Sequence, residues 1–333
     1  MRLQDLPRPL ARRCLCVPRF CRDTLGVELK GARLAVAYSA GLDSTALLHI
    51  LHLLAGPLEL TLVAAHAHHG LRPESENELE HARAATGHLG IPLETARLDV
   101  PAALETGGPG LEECARNLRY AFLETVRERH GCDWIVTAHH ADDLAEDIVM
   151  RLVRGTGWPG LGGMAGADPA RRLLRPLLDW EKNELHQFLE AVGATWCEDP
   201  SNDATDRTRN RIRHDVLPLL RRENPALARA LRQLWAQARA DEDYWAQMLP
   251  PLPDQPGELF LEAQALGVHT ALRLRIFKHA LDSMGPGQAL AGHLLLLDKA
   301  WTERGIGRCI QFPGDKRACV ERDGVRFTLQ NRT

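Results

Sequence analysis

One segment constrains this chain more than any other: Leu34-Ala35-Val36-Ala37-Tyr38-Ser39-Ala40-Gly41-Leu42-Asp43-Ser44-Thr45. A short apolar run meets a turn of small residues, and helix-forming sequence follows at once. Leu34–Ala37 reads as a buried strand. Gly41 supplies the backbone freedom of a tight turn. Asp43, Ser44 or Thr45 can cap a helix over 44–54. Amides exposed at such a turn, together with the positive end of a helix dipole, make an anion site. Ser39 and Ser44 add hydroxyl donors. The favoured ligand is phosphate or pyrophosphate.

The turn is not a Walker loop, because no lysine follows the glycine at the required spacing. Nor is it the G-x-G-x-x-G dinucleotide turn. Its closest pattern is the S-G-G-x-D-S pyrophosphate loop of the PP-loop ATP-pyrophosphatase superfamily, which it resembles with Ala40 in place of the second glycine. A methyl group there limits positive φ.

At 333 residues the chain is long enough for two domains. The formal net charge of −3 decides nothing about nucleic acid, but its distribution does. Between Ala204 and Ala240, nine arginines stand against three carboxylates, an excess of +6. Arg207, Arg209, Arg211, Arg213, Arg221 and Arg222 lead this segment. It reads as a footprint for a nucleic-acid phosphate backbone, with solvated helix faces as the plainer alternative. No secretory signal and no apolar run of membrane-spanning length occurs, so a cytoplasmic protein with reduced thiols is expected. Of the eight cysteines, Cys14, Cys16 and Cys21 cluster, but at no standard metal or redox spacing.

Strand and helix patterns then alternate. Strands are expected at 34–37, 60–66, 93–98 and 134–137. Helices are expected at 75–89, 111–130 and 141–154, the last closed by Gly155. This order implies an α/β fold with a Rossmann-like parallel sheet covered on both faces. Asp179 reads as the cap of a helix over 180–192, and 210–220 is helical. Long helical patterns follow over 226–248, 271–282 and 287–302, with a Pro-rich linker at 250–257. Small β hairpins are expected at 307–329. The division expected is an N-terminal segment over 1–30, an ATP-binding catalytic domain over 31–222, and a mainly helical domain over 223–333.

In open α/β sheets, ligands bind beyond the carboxyl ends of the strands. Ser39, the cluster His66–Arg72 and the cluster Thr137–Asp143 all follow strands and should meet at one rim. Asp142, Asp143, Glu146 and Asp147 share the first turns of the next helix. They read either as dipole complements or as a pocket for Mg²⁺ or a substrate ammonium. Arg116 and Arg119, with Glu112 and Tyr120 on the same helix, suit phosphate or adenylate oxygens.

Together these residues resemble the tRNA(Ile)-lysidine synthetase family. Its H-x-N-H-G-L-R appears as His66–Arg72, with His68 for Asn. Its E-x-x-x-A/R-R-x-x-R-Y region appears as Glu112–Tyr120. Its T-A-H-H-x-D-D-Q-x-E-T appears as Thr137–Asp147, with Leu144 for Gln and Asp147 for Thr. Arg154–Leu161, Arg175–Leu178, Glu198–Asn202 and Arg209–Arg213 match its remaining motifs in order.

The resemblance implies that ATP adenylates C2 of the wobble cytidine in a CAU anticodon of tRNA(Ile), and that L-lysine then displaces AMP. It implies ATP binding at Ser39, Ala40, Gly41, Leu42, Asp43 and Ser44, with Asp43 also orienting Mg²⁺. It implies that Asp43, Arg72, Arg116, Arg119 and His139 stabilise the adenylate. Asp143, Glu146 and Arg154 would hold lysine, and the arginine-rich segment the tRNA. The mainly helical domain would bind tRNA, and a homodimer is compatible with all of this. Two other classes stay open at this point. One is a metal-dependent phosphohydrolase built on His66, His68, His69, His139, His140, Asp142 and Asp143. The other is a non-catalytic nucleotide sensor.

Overall fold

The computed structural model describes residues 2–68, 74–105, 110–198, 208–253, 257–287 and 289–330. They fall into two compact units. The first comprises 1–150 with 163–233, and the second 151–162 with 234–333.

The first unit is built on a six-stranded sheet of order β3-β2-β1-β4-β6-β5. Its strands are β1 (Arg33–Ala37), β2 (Thr61–His68), β3 (Leu93–Arg97), β4 (Trp134–Val136), β5 (Ala167–Asp168) and β6 (Leu173–Leu174). All neighbours pair in parallel except β5, which runs antiparallel to β6. The helices are α1 (Arg8–Asp23), α2 (Leu42–Leu58), α3 (Glu74–Leu89), α4 (Val100–Glu105), α5 (Leu111–Arg129), α6 (Ala141–Val153) and α7 (Lys182–Val192). After these come α8 (Thr208–Arg211), a π-helical stretch Ile212–Val216, and α9 (Leu217–Glu223).

α2 is apolar almost all round, as a helix enclosed on every side must be. Leu47, Leu48, Ile50, Leu51 and Leu54 are wholly buried between the sheet, α1 and α7. The first thirty residues, read from sequence as a separate segment, pack into this same core through Leu6, Cys14, Val17, Cys21, Val27 and Leu29. Burial pushes the Cys14 and Cys21 thiols up to about 12, which makes them inert core residues.

Chain order places the site. From β1 the sheet grows outward through β2 and β3, and the chain then returns to add β4 on the other side of β1. The carboxyl ends of β1 and β4 therefore flank a topological switch point, where open α/β sheets take ligands.

Two local expectations fail. The cap of α2 is Gly41 rather than Asp43, Ser44 or Thr45, and the cap of α7 is Glu181 rather than Asp179. Glu181 forms a capping box with Glu184, and its N–H donates to Glu184 Oε2 at 2.8 Å. Asp179 is engaged elsewhere, by Arg13 Nη1 at 2.7 Å and Arg232 Nε at 3.5 Å.

The second unit carries an antiparallel sheet of order β7-β10-β9-β8, made of β7 (Glu258–Glu262), β8 (Cys309–Phe312), β9 (Lys316–Glu321) and β10 (Gly324–Leu329). Around it lie α10 (Leu227–Met248, which starts in the first unit), α11 (Ala263–Leu266), α12 (Thr270–Ser283) and α13 (Ala291–Thr302). The hairpins expected at the tail are present, and β7 joins them from a segment that carries no clear strand signal. The core closes on Phe277, Leu281, Leu297, Val320, Val325 and Phe327.

Lys316 stands on the inner face of β9 and is fully buried. Its ammonium donates to the carbonyls of Gly285 at 2.6 Å and Gly287 at 3.0 Å. Cys309 and Cys319 sit opposite each other in the β8–β9 ladder and form a disulfide, so the expectation of uniformly reduced thiols does not hold here.

Candidate active site at the switch point

The turn after β1 is held by its own hydroxyls. Ser39 N–H donates to Ser44 Oγ at 3.1 Å, the two Oγ atoms lie 3.0 Å apart, and Ser44 Oγ donates to Gly41 O at 3.0 Å. Both serines, read as phosphate donors, are thus already engaged in shaping the loop. Ala40 takes φ of +65°, the left-handed conformation its methyl group disfavours, and Cys197 N–H locks its carbonyl at 2.9 Å. α2 then begins at Leu42, with its amide end beside the loop.

The turn after β4 meets this loop. His140 is 2% exposed and has three carboxylates around it: Asp43 at 3.5 Å, Asp142 at 3.4 Å and Asp143 at 3.4 Å. Burial alone would depress the imidazole, but Asp142, Asp43 and Asp143 override it and raise it to about 10. These carboxylates favour its imidazolium form, which links the loop to α6. Sequence reasoning puts its neighbour His139 at the adenylate and offers His140 only as a metal ligand. His139 bonds Thr137 Oγ1 at 2.9 Å, and burial holds it down at about 4, so it is neutral. The third strand end also converges, since His66 Nδ1 bonds Tyr38 O at 2.9 Å.

Asp43 Oδ1 is buried and accepts no hydrogen bond of good geometry, its nearest cationic partner being His140 Nε2 at 3.5 Å. An acceptor-only oxygen at a phosphate loop suits Mg²⁺, which binds through one or two carboxylates, waters and substrate phosphates. Among the described residues no group of three or more His, Cys, Asp or Glu is placed to hold a metal, so phosphate oxygens would have to complete any such shell.

The carboxylates of α6 are not left to solvent. Asp142 accepts from Lys182 N–H at 2.8 Å and from Arg221. Asp143 accepts from His140 N–H at 3.0 Å and from Arg209 Nη2 at 2.8 Å. Glu146, 1% exposed, takes Arg209 Nε at 2.7 Å and Arg213 Nε at 2.5 Å. Burial opposes ionisation of Asp142 and Asp143, yet His140 and the nearby arginines hold both below the usual range. Arg209 and Arg213, expected on an RNA backbone, pair with the buried Glu146, and Arg221, itself exposed, pairs with Asp142. A buried carboxylate needs paired donors, and that need outweighs their exposure. Arg211 and Arg222 are exposed. Arg72 and Arg207 lie outside the described residues, as do His69 and the Glu112 side chain.

On α5, Arg116 and Arg119 stand 5.1 and 6.0 Å from the Tyr120 ring. Arg154 is exposed and belongs to the second unit.

The PP-loop domain family matches residues 19–220. A tRNA(Ile)-lysidine synthase from Nitratidesulfovibrio vulgaris is 44% identical over 330 residues, covering 92% of this chain and 95% of that protein. The chain belongs to the tRNA(Ile)-lysidine synthase family. The synthase of that name from Geobacillus kaustophilus is 38% identical over 222 residues, and the match covers 66% of this chain but 48% of the relative. Against several such synthases the chain spans about half their length. Among solved structures, a U34-tRNA thiolase from Methanococcus maripaludis superposes with a TM-score of 0.55 at 17% identity, over 66% of this chain and 76% of that one, which shows the shared fold.

Within the synthase family pattern, Leu144 replaces a glutamine. It is 1% exposed and packs under Gly163, whose φ is +93° and where a Cβ would come 2.8 Å from Leu144 Cδ1. The departure therefore alters the core beneath α6, and the carboxylate face is left to Asp143 and Glu146.

Proposed function

We propose that this chain ligates L-lysine to C2 of the wobble cytidine of tRNA(Ile) bearing CAU, through an adenylated cytidine, releasing pyrophosphate and AMP. The reading is carried by one observation: similarity to a lysidine synthase runs along nearly the whole of both chains. The geometry supports it, because a phosphate loop faces a paired set of carboxylates and guanidiniums across one imidazolium.

In the first step, the amides at the start of α2 would bind the pyrophosphate that leaves as cytidine O2 attacks the α-phosphate. Asp43 would hold Mg²⁺, which offsets charge on the leaving group. Arg116 and Arg119 would stabilise the α-phosphate. In the second step, lysine is bound as a zwitterion. Asp143 and Glu146 would take its ammonium charge, and Arg209 and Arg213 its carboxylate. The ε-amine must lose a proton before it can attack C2 and expel AMP. His139 is held at about 4 by burial, too weak a base for an ammonium, so this proton would leave to solvent. Action on tRNA, with no membrane-spanning helix among the described residues, fits a cytoplasmic enzyme.

The test is incorporation of labelled lysine into a tRNA(Ile) transcript bearing CAU, with and without ATP, against elongator tRNA(Met). ATP-dependent labelling of the first alone is expected. No labelling by folded, ATP-binding protein would overturn the reading.

A further inference from the structure

Three arginines of the first unit gather on one aromatic ring, and a fourth lies beside it. The guanidinium carbons of Arg171, Arg116 and Arg119 lie 4.7, 5.1 and 6.0 Å from the centre of Tyr120. Arg175 reaches the hydroxyl of the same residue. Two distant segments build the cluster. α5 supplies Arg116, Arg119 and Tyr120, while Arg171 precedes β6 and Arg175 follows it. Arg175 is anchored by its N–H to Gly166 O at 2.8 Å and by Nη1 to Ala165 O at 2.6 Å.

No carboxylate among the described residues neutralises the cluster. Among the described residues none of the four forms an ion pair, and Asp168 is the carboxylate facing them, accepting Arg171 N–H at 3.1 Å. The nearby Glu124 is taken by Arg127. Arg175 is 7% exposed, and its Nε–H is fully buried with no acceptor. Burial and then the charge of Arg116 depress Arg175, while Tyr120 and Asp168 offset only part of this. Arg119 is exposed by surface area, yet crowding of its guanidinium and the charge of Arg116 depress it as well. A tyrosine face attracts a guanidinium, but it satisfies none of the in-plane N–H donors. Several guanidiniums with donors to spare match the oxygens of a phosphate group.

We infer that Arg171 and Arg175 complete, with Arg116, Arg119 and Tyr120, a cage for phosphate-ester oxygens. The anion chemistry stands on these contacts alone. The source of the phosphate, ATP or the RNA backbone beside the reacting cytidine, rests on the function proposed above. Arg116 and Arg119 fall within the motifs already assigned to the adenylate, and the new members are the two arginines that flank β6.

The test measures binding rather than ligation, so it is separable from failure of the proposed reaction. Arg171→Ala and Arg175→Lys are compared with the wild-type full chain for two probes: α,β-methylene-ATP, and a synthetic anticodon stem-loop RNA with CAU. At least a fivefold weaker Kd for either probe in both variants is expected. Loss toward the nucleotide alone assigns the cage to ATP. Loss toward the RNA alone assigns it to the backbone, and the salt dependence should then fall by about 0.7–0.9 per lost contact. Arg171 is exposed, so its variant decides the matter even if Arg175→Lys does not fold. Unchanged affinity of folded Arg171→Ala for both probes, or wild-type protein that binds neither, overturns the inference.

Discussion

Arg209 donates through Nε to Glu146 Oε2 at 2.7 Å, across 63 residues of sequence, and so ties the arginine-rich segment to the carboxylate face of α6. Glu146 is 1% exposed, while the side chains of Arg209 and Arg213 are 41% and 28% exposed. The carboxylate needs the guanidiniums more than they need it. An incoming lysine ammonium must therefore share or displace these donors.

Glu146→Gln tests this directly. Removing one member of a buried pair costs about 3–5 kcal/mol. Both arginines can turn toward water, which reduces the expected loss to about 1–3 kcal/mol. Calorimetry should show a lower Tm. The KM for lysine should rise at least about tenfold, while lysine-independent pyrophosphate release stays near wild type, as expected for lost substrate binding. An unchanged lysine dependence would remove Glu146 from the lysine pocket.

Asp43→Asn should act on the other half-reaction. The substitution keeps the size of the side chain but removes the charge that faces His140 and the loop. ATP-dependent adenylation should fall by at least about 100-fold, the scale seen when one preorganised electrostatic group is lost. Wild-type pyrophosphate release would sink the assignment of Asp43.

The sheet and its loop were legible because period and punctuation act locally: an apolar run, small residues, then helix. The convergence of three strand ends was legible from chain order and the strand-end rule. Partner choice was not. Arg209 and Arg213 look like a solvent-facing basic run until Glu146 is known to be buried, and burial is a tertiary property. The role of His140, read only as a possible metal ligand, was missed for a similar reason. In sequence it is one of a His-His pair, and only packing decides which of the two gains three carboxylates and which stays neutral. β7 carries few strand signals because its stability comes from pairing with β10.

Ala40 offers a backbone test. A non-glycine residue in the left-handed region costs about 1–2 kcal/mol. Ala40 is wholly buried, with φ of +65°. Ala40→Gly relieves that strain but loosens the unfolded chain, so stability should change by less than about 1 kcal/mol and nucleotide binding should be retained. Ala40→Val adds branching where φ is positive and should destabilise by more than about 2 kcal/mol. Equal stability of the two variants in urea titrations would mean the loop takes another conformation.

Acid sensitivity follows from two imidazoles. His49 and His139 are both held down at about 4 by burial, from an ordinary value of 6.5. The unfolded chain binds these protons more readily than the folded one. Their contribution is therefore intact above about pH 6.5 and declines as pH falls toward 4, whereas His140, raised to about 10, stabilises fully below 6.5 and loses that contribution as pH rises toward 10. Asp142 and Asp143, held low in the folded state, add their loss only below the ordinary 3.8. Urea midpoints should fall between pH 6.5 and 4, and His49→Leu should flatten part of that fall. A flat wild-type profile over this window would show that neither imidazole is buried as a neutral group.

The second unit has its own buried pair, which separates folding from catalysis. Arg273 donates through Nε to Asp298 Oδ1 at 2.6 Å, through Nη1 to Val268 O at 2.6 Å, and through Nη2 to Thr270 Oγ1 at 3.0 Å. Its side chain is 8% exposed and that of Asp298 12%. Asp298→Ala leaves this guanidinium buried without a counter-charge and should cost about 3–5 kcal/mol. At about 4–8 °C per kcal/mol for a unit of this size, the melting transition should drop by more than about 10 °C. Arg273→Met combined with Asp298→Leu removes both charges and fills the same space, so it should recover most of the loss. Recovery would show that the pair specifies the fold of this unit more than it stabilises it. A double variant as unstable as Asp298→Ala would mean instead that the carbonyls of Val268 and Leu266 depend on the guanidinium as their donor.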